Sequence, residues 1–389
     1  MNNIKNKPIN QLLLFIVISL IIVLITTTFK ADFLRVPLMI LHIIGTFIFR
    51  GSFSKPDSIV YVLVIFFVYF IFQNLYLQTT SLAFLQSLIL TVLYLLFYIY
   101  LKNVTIGGIE RKNLKTISKS LFLLILFFFI SPSVSLISGR YSGVFSNPNV
   151  TAHTALNIFP IILLGFNKTN KIFVSFVVLG LIIFLGSRSS LVAFLLGFIV
   201  LFISMMFKKG LNFFYSLIVM SLVLYSSWNV IEITANSTDY LSLIFNEKNH
   251  LLYQGSNGRD ELFDLSLKKW EESPVLGSGF YNSKIEYKNK EFSSHNSVYE
   301  LLIKTGILGT ILWLTLFLVI MYKICRSSNK WEKSLGLMSM AIILSLCSNS
   351  SIFFVFNYYW YYFSIIFIIS QSRIKNKETI TVANADLTL

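Results

Sequence analysis

The chain has 389 residues, of which 55% are hydrophobic and only 13% are charged, with a formal net charge of +15. Its mean hydropathy of +0.73 excludes a soluble globular protein, because such proteins carry about 25% charged residues. The sequence contains no polar domain with clustered cations, so we expect no binding of nucleic acid.

Long apolar segments recur along the chain and predict an all-α, polytopic integral membrane protein. A helix needs about 20 apolar residues to cross a hydrocarbon core of about 30 Å, and it satisfies its own backbone hydrogen bonds in lipid. We count about twelve spans of this kind. They lie at roughly 11–28, 34–49, 57–76, 80–101, 120–138, 151–166, 172–186, 190–207, 212–233, 297–322, 335–351 and 353–371.

The spans divide the chain into four parts. Residues 1–233 hold helices 1 to 9, residues 234–296 form one large loop, residues 297–372 hold helices 10 to 12, and residues 373–389 form a tail. The loop is polar, but it contains a helical pattern over Arg259–Glu271. Connections of this length are usually functional or disordered, and the periodic stretch favours an ordered, functional loop.

The distribution of Lys and Arg orients the spans. Alternate loops are rich in these residues, whereas the other short loops hold only Lys30, Arg35, Arg140 and Arg188. Because cytoplasmic loops carry the excess of cations, we predict both termini in the cytoplasm and the large loop outside the cytoplasmic membrane. The first span lacks a small-residue cleavage site, so we expect it to stay uncleaved. The cation-rich loops are those at 50–55, 102–119, 168–171, 208–209, 323–333 and 373–377.

Arg188 is the most informative residue, because it lies between the apolar runs 172–185 and 191–207. A guanidinium at the bilayer centre costs roughly 2.5–3.5 kcal/mol on insertion scales, so an anionic partner is expected. The alternative is a helix-end anchor that reaches the headgroups. Three other polar residues have structural explanations. Glu300 and Lys304 have the spacing of an ion pair on one helix face, and His153 fits a core histidine.

Three polar clusters fall on the predicted outer face, and together they suggest a candidate site. Arginine forks match phosphate oxygens two at a time, and a histidine can serve as a general base. Such a set suits a reaction on a diphosphate-linked donor, with cations for the leaving group and a base for the incoming hydroxyl. Pro148 reads as the first residue of a helix. The candidates are Arg140, Asn149, Arg188, Arg259, Asp260, Trp270, His295 and Asn296.

The sequence gives no sign of a metal or nucleotide site. Its aspartates never form Asp-x-Asp, and no cluster of His, Cys and carboxylates has ligand spacing. A Gly-x-x-x-x-Gly-Lys loop is also absent. Cys325 and Cys347 lie in or beside apolar segments and show no metal-ligand spacing, and we expect no structural disulfide. We therefore expect a reaction without metal or cofactor.

Four short segments resemble, in order, the motifs of the O-antigen ligase and polymerase superfamily, over about 140–310. The resemblance implies a membrane-embedded helical glycosyltransferase of the GT-C type at the outer face of the cytoplasmic membrane. It also implies metal-free transfer from glycans carried on undecaprenyl diphosphate. The segments are Arg140…Gly143…Asn147-Pro148-Asn149; Gly186-Ser187-Arg188-Ser189; Gly258-Arg259-Asp260 with Trp270 and Pro274-Val275-Leu276-Gly277-Ser278-Gly279-Phe280; and Ser294-His295-Asn296-Ser297 leading to Lys304-Thr305-Gly306-Ile307-Leu308-Gly309.

The resemblance also implies roles for the candidates. Arg188 and Arg259 would bind or neutralise the lipid diphosphate, and His295 would be the base for the acceptor hydroxyl. Arg140 and Asn149 would help to shape the site. The remaining candidates, Asp260, Trp270 and Asn296, are expected to contact substrate. The implied partners are a lipid-linked glycan donor, a glycan acceptor and the bilayer, with a chain-length regulator and a flippase as further candidates.

Three functions stay open at this point. Ligases pass a finished glycan to a lipopolysaccharide core, whereas polymerases pass a growing chain to another lipid-linked repeat unit. The Ile-, Phe-, Lys- and Asn-rich composition is typical of low-GC, often Gram-positive genomes, which favours a repeat-unit polymerase for capsular, exo- or O-antigen-type polysaccharide. The third function is a flippase or solute carrier, but carriers keep polar sites near the bilayer midplane. Here the clusters lie at one face.

Overall fold

A computed structural model describes the parts of the chain from which the fold is built. The predicted spans 11–28, 34–49 and 353–371 lie outside these parts, as do Arg140 and His295. The total of twelve spans therefore stays a prediction. The described residues are 56–77, 92, 95–96, 98–99, 102, 109–130, 148–236, 259–279, 284–287, 290–292, 294, 296–347 and 374–375.

The described part of the chain is mostly helical, as predicted. Two short two-stranded sheets accompany the helices, one parallel (β1 with β4) and one antiparallel (β2 with β3). The antiparallel hairpin lies in the large loop, where we predicted no strand. The elements are α1 (Ser58–Tyr76), β1 (Ile109–Glu110), α2 (Arg111–Ile130), α3 (Pro148–Gly165), α4 (Lys168–Phe184), α5 (Arg188–Met206), α6 (Phe213–Asn236), α7 (Arg259–Glu271), β2 (Ile285–Tyr287), β3 (Lys290–Phe292), α8 (Ser297–Cys325), α9 (Lys330–Cys347) and β4 (Ile374–Lys375).

Three of the described helices, α1, α5 and α8, are long and apolar enough to cross a membrane. Helix α5 has 19 residues, which correspond to roughly 28 Å at the usual rise per residue. Helix α8 has 29 residues, or roughly 43 Å if it were straight, and so exceeds the hydrocarbon thickness by about two turns. These lengths support an integral membrane protein in which one end of α8 extends beyond the apolar layer.

Helix α9 is the centre of the bundle. It packs against α3, α5, α6 and α8, and every residue from Glu332 to Cys347 is buried. A helix that is covered on all sides belongs in the interior. The contact with α5 is close at Gly197, where a Cβ atom would lie 2.8 Å from Cγ1 of Ile342. Small residues permit such close approach of helices in membranes.

Contacts between side chains sort the helix termini into two ends. At one end, which we call the Lys171 end, the Lys171 ammonium lies 3.8 Å from the centre of the Trp331 ring. At the other, the Arg188 end, His153 Nε2 lies 3.2 Å from Ser189 Oγ. Helices α3, α4 and α5 therefore run in alternating directions between these ends. The assignment of the Lys171 end to the cytoplasm stays a prediction.

Candidate functional site

The Arg188 side chain is placed by a tight turn between α4 and α5. Gly186 has a φ of 62°, a conformation that glycine adopts at little cost because it has no Cβ atom. Its amide donates to the carbonyl of Ile183 at 2.9 Å, and the Leu191 amide donates to the carbonyl of Ser187 at 3.0 Å. Arg188 is therefore the first residue of α5 and stands half-buried at the helix mouth.

Polar side chains tie this turn to its neighbours. The hydroxyl groups of Ser187 and Ser190 are fully buried and lie 2.9 Å apart. The buried His153 of α3 contacts Ser189, which agrees with the predicted core histidine. Helix α3 begins at Pro148, as predicted, and the half-buried Asn149 is its second residue. The starts of α3 and α5 thus lie together at the Arg188 end, held by hydrogen bonds that buried polar groups require.

Helix α8 is broken at Gly306, whose φ of 59° and ψ of −168° are not helical. The segment 274–279 of the large loop fills the break. Four backbone hydrogen bonds of 2.7–3.2 Å join the two pieces and replace bonds that the helix loses there. The donor and acceptor pairs are Ile307 N to Pro274 O, Leu308 N to Val275 O, Ser278 N to Ile303 O and Gly279 N to Lys304 O.

Two side chains of α1 cover the carbonyl groups at this break. The Tyr69 hydroxyl lies 3.0 Å from the Leu276 carbonyl and also contacts that of Thr305. The Gln73 side-chain amide donates to the Lys304 carbonyl at 2.6 Å and also contacts that of Leu276. Both side chains are buried. Sequence reasoning missed them, although a glutamine inside the apolar span 57–76 was a signal that a buried polar partner exists.

The residues between the cap of α8 and its break form a half-helix, Ser297–Thr305. The buried Asn296 is its N-cap, and its Oδ1 accepts from the Val298 amide at 2.8 Å. Glu300 and Lys304 form the predicted ion pair along one face of this half-helix, and both side chains are largely buried. The second carboxylate oxygen of Glu300 is buried and has no partner within the described residues.

Helix α7 packs on this half-helix through a small separate core. Its Leu262 is buried against Ile285 of β2 and Ile303 of α8, and the rings of Phe263 and Tyr299 have centres 5.2 Å apart. The Trp270 indole donates to the carbonyl of Pro274 at 3.2 Å, which ties the end of α7 to the segment that fills the break. Helix α7, the hairpin and the half-helix therefore form one substructure.

The structure describes the helices that carry several of the candidate residues. Of the candidates, it places Arg188 and Asn149 at helix starts of the Arg188 end, Asn296 at the start of α8, and Trp270 in contact with the loop. Arg259 and Asp260 are the first two residues of α7, and the structure describes only their backbone. The meeting of Arg188, Arg259 and His295 in one site stays a prediction. Within the described segments, no group of three or more His, Cys, Asp or Glu residues could hold a metal ion.

Comparison with known proteins adds one family. Residues 173–314 match a family model described as O-antigen ligase. The matched region runs from α4 into α8, and so includes the Arg188 turn, the large loop and the break at Gly306. A search of the curated proteins finds no match. The first cluster, 140–149, lies before the matched region.

Proposed function

We propose that the protein is a membrane-embedded glycosyltransferase of the O-antigen ligase and polymerase superfamily, an assignment that the family match supports. It joins undecaprenyl-diphosphate-linked oligosaccharide repeat units into a surface polysaccharide at the outer face of the cytoplasmic membrane. The observation that carries the proposal is that the Arg188 turn and the substructure around α7 fall within the one matched region. A half-buried guanidinium at the mouth of an apolar helix supports an anionic ligand there.

In the proposed mechanism, Arg188 and Arg259 hold the diphosphate of the donor lipid. His295 accepts the proton of the acceptor hydroxyl while the hydroxyl oxygen attacks the anomeric carbon of the donor glycan. The bond between that carbon and the diphosphate oxygen breaks, and undecaprenyl diphosphate leaves with the electron pair. Because negative charge develops on the leaving oxygen, fixed cations lower the barrier.

The described frame supports this assignment of roles. The half-helix Ser297–Thr305 directly follows His295 and Asn296 in the chain, and α7, which begins with Arg259, packs on it. Groups that must meet a reacting centre work best on rigid elements that are held by other packed parts. Catalytic side chains that are held in fixed positions lower the entropy cost of bringing two glycans together.

The remaining candidates have auxiliary roles in the proposal. Arg140 and Asn149 shape the donor site beside Arg188, and Asp260 and Asn296 contact the glycan. Trp270 contributes a stacking surface for sugar while its N–H holds the loop. A flippase that delivers the lipid-linked units and a chain-length regulator are the proposed protein partners.

The proposal is tested with purified protein in detergent and lipid-linked repeat units, with products separated by size. The wild type is expected to give a ladder without any ion gradient, which a flippase cannot do. Arg188→Ala and His295→Ala are expected to leave only single repeat units. Arg326→Ala is the matched control, because this exposed arginine lies at the opposite end. Full-length ladders from both variants at the wild-type rate would remove the two residues from the mechanism.

The ligase is the second candidate, and the description of the matched family favours it. Both reactions use the same donor, so they differ in the acceptor. A competition between a lipid-linked repeat unit and a glycosylated lipid core as acceptor separates them. Incorporation into the repeat unit supports the polymerase, whereas exclusive transfer to the core supports the ligase.

A further inference from the structure

A second set of cationic and donor groups lies at the Lys171 end, away from the candidate active site. Lys171 is in the first turn of α4, and its ammonium lies 3.8 Å from the centre of the Trp331 ring at the start of α9. The Lys171 side chain is half-buried, unlike the exposed Lys208 and Arg326 at the same end. A lysine that serves only to orient the helices in the membrane does not need to be buried.

A second cation, the exposed Arg111, acts on Lys171. Burial lowers the pKa of Lys171, and the positive charge of Arg111 lowers it further, to about 8. The packing explains this proximity, because a Cβ atom on Gly165 at the end of α3 would lie 2.5 Å from the Leu114 carbonyl of α2. The start of α4 therefore rests beside the first turn of α2, which begins with Arg111. Neither cation has an ion-pair partner in the described part of the chain.

The third group is the indole N–H of Trp331. Its nitrogen is buried and has no hydrogen-bond partner among the described residues, although a buried indole N–H usually finds one. The neighbouring Glu332 carboxylate is engaged elsewhere, since it accepts from the Asn329 side chain at 2.7 Å. The three groups offer positive charge and donors but no acceptor, which is the chemistry that binds an anion.

The surroundings favour a lipid as the source of this anion. Helices α2 and α4 carry no acidic residue in their first turns, so the positive ends of both helix dipoles add to the cations. Ile172 and Phe173 follow Lys171 and are 54% and 61% exposed, and they offer an apolar surface directly beside the charge. Basic pockets between membrane helices bind phospholipid headgroups in this way.

We propose that Lys171, Arg111 and Trp331 form a binding site for the headgroup phosphate of an anionic glycerophospholipid. The phosphate lies between the two cations and accepts from the indole N–H, and an acyl chain runs along Ile172 and Phe173. The site does not depend on the proposed glycosyl transfer.

The test titrates full-length protein in detergent with phosphatidylglycerol, with phosphatidylcholine of the same acyl chains, and with inorganic phosphate. We expect selective binding of phosphatidylglycerol, weakened about fivefold by Lys171→Gln or Arg111→Gln and about 25-fold by both together. The matched control Lys208→Gln is expected to change the apparent Kd by less than about twofold, because this exposed lysine lies outside the proposed site. Retention of the lipid is confirmed by native mass spectrometry.

Two further arms protect the test against misfolded variants. Trp331→Phe keeps the ring but removes the N–H, and is expected to weaken binding about tenfold. Binding to the wild type should also weaken as the pH rises above about 8, where free Lys171 loses its proton, and Lys171→Gln should remove this step. Loss of the Glu332 proton near pH 7 should weaken binding in both proteins alike. Wild-type affinity in the double variant, equal binding of phosphatidylcholine, or full competition by inorganic phosphate at the lipid concentration would each overturn the proposal.

Discussion

The break in α8 makes Gly306→Ala a sharp test of how the outer substructure is attached. Glycine at this position has a φ of 59° and a ψ of −168°, a region that other residues rarely enter. An added Cβ atom would lie 2.3 Å from the carbonyl oxygen of Val275 and 2.5 Å from the amide nitrogen of Gly277. Both are backbone atoms of the segment that fills the break, so they cannot rotate away.

The size of the effect follows from two contributions. Holding a residue with a side chain in such a backbone region costs about 1–3 kcal/mol. Displacement of the loop segment would also break the hydrogen bonds that the amides of Ile307 and Leu308 donate, each worth about 1 kcal/mol. We therefore expect Gly306→Ala to lower the free energy of unfolding by roughly 3–5 kcal/mol.

The assay is denaturant unfolding in detergent micelles, followed by tryptophan fluorescence. Gly180→Ala is the matched control, because a Cβ atom at this helical position of α4 would meet nothing within 4 Å. The control is expected to be neutral or stabilising by up to about 1 kcal/mol, since alanine favours helix over glycine. A Gly306→Ala protein with wild-type stability would refute the idea that the close contact of the two backbones holds the substructure in place.

Three further predictions concern other described residues. Tyr69→Phe and Gln73→Met should each destabilise the protein by about 1–3 kcal/mol, because carbonyl groups lose buried donors. A double-mutant cycle should show coupling through the Leu276 carbonyl that both side chains contact. The control Tyr76→Phe, at a 66% exposed site, should be neutral. Burial raises the pKa of Glu332 to about 7, so wild-type stability should fall as the pH rises from about 5 to 8, whereas Glu332→Gln should remove this fall in unfolding experiments. Arg188→Lys should slow glycosyl transfer about ten- to a hundredfold in the ladder assay, because the bidentate fork is lost; an unchanged rate would contradict a diphosphate contact.

Much of the fold could be predicted because local rules determine it. The helix start at Pro148 follows from the fixed φ of proline, and the Glu300–Lys304 pair follows from helix periodicity. Helix α7 matches the predicted helical pattern at Arg259–Glu271. In each case the residues that determine the local structure are close neighbours in the chain, so the sequence alone is enough to predict it.

Other features could not be predicted because their causes are far apart in the chain. Helix α8 reads as one continuous apolar run, and only the docking of 274–279 explains why it is broken. The hydrogen bonds of Tyr69 and Gln73 cross more than two hundred positions. The family motifs pointed to both segments, but they gave no hint that one segment fills a gap in the other.

The contact between Gly277 and Gly306 has a consequence for the substitutions that this region tolerates. A methyl group on Gly277 would lie 2.5 Å from the Gly306 nitrogen. The backbone of each glycine therefore fills the space that a side chain on the other would need. No change at one position can therefore compensate for a change at the other. The two glycines should be inherited together, as a pair that neither position can leave alone.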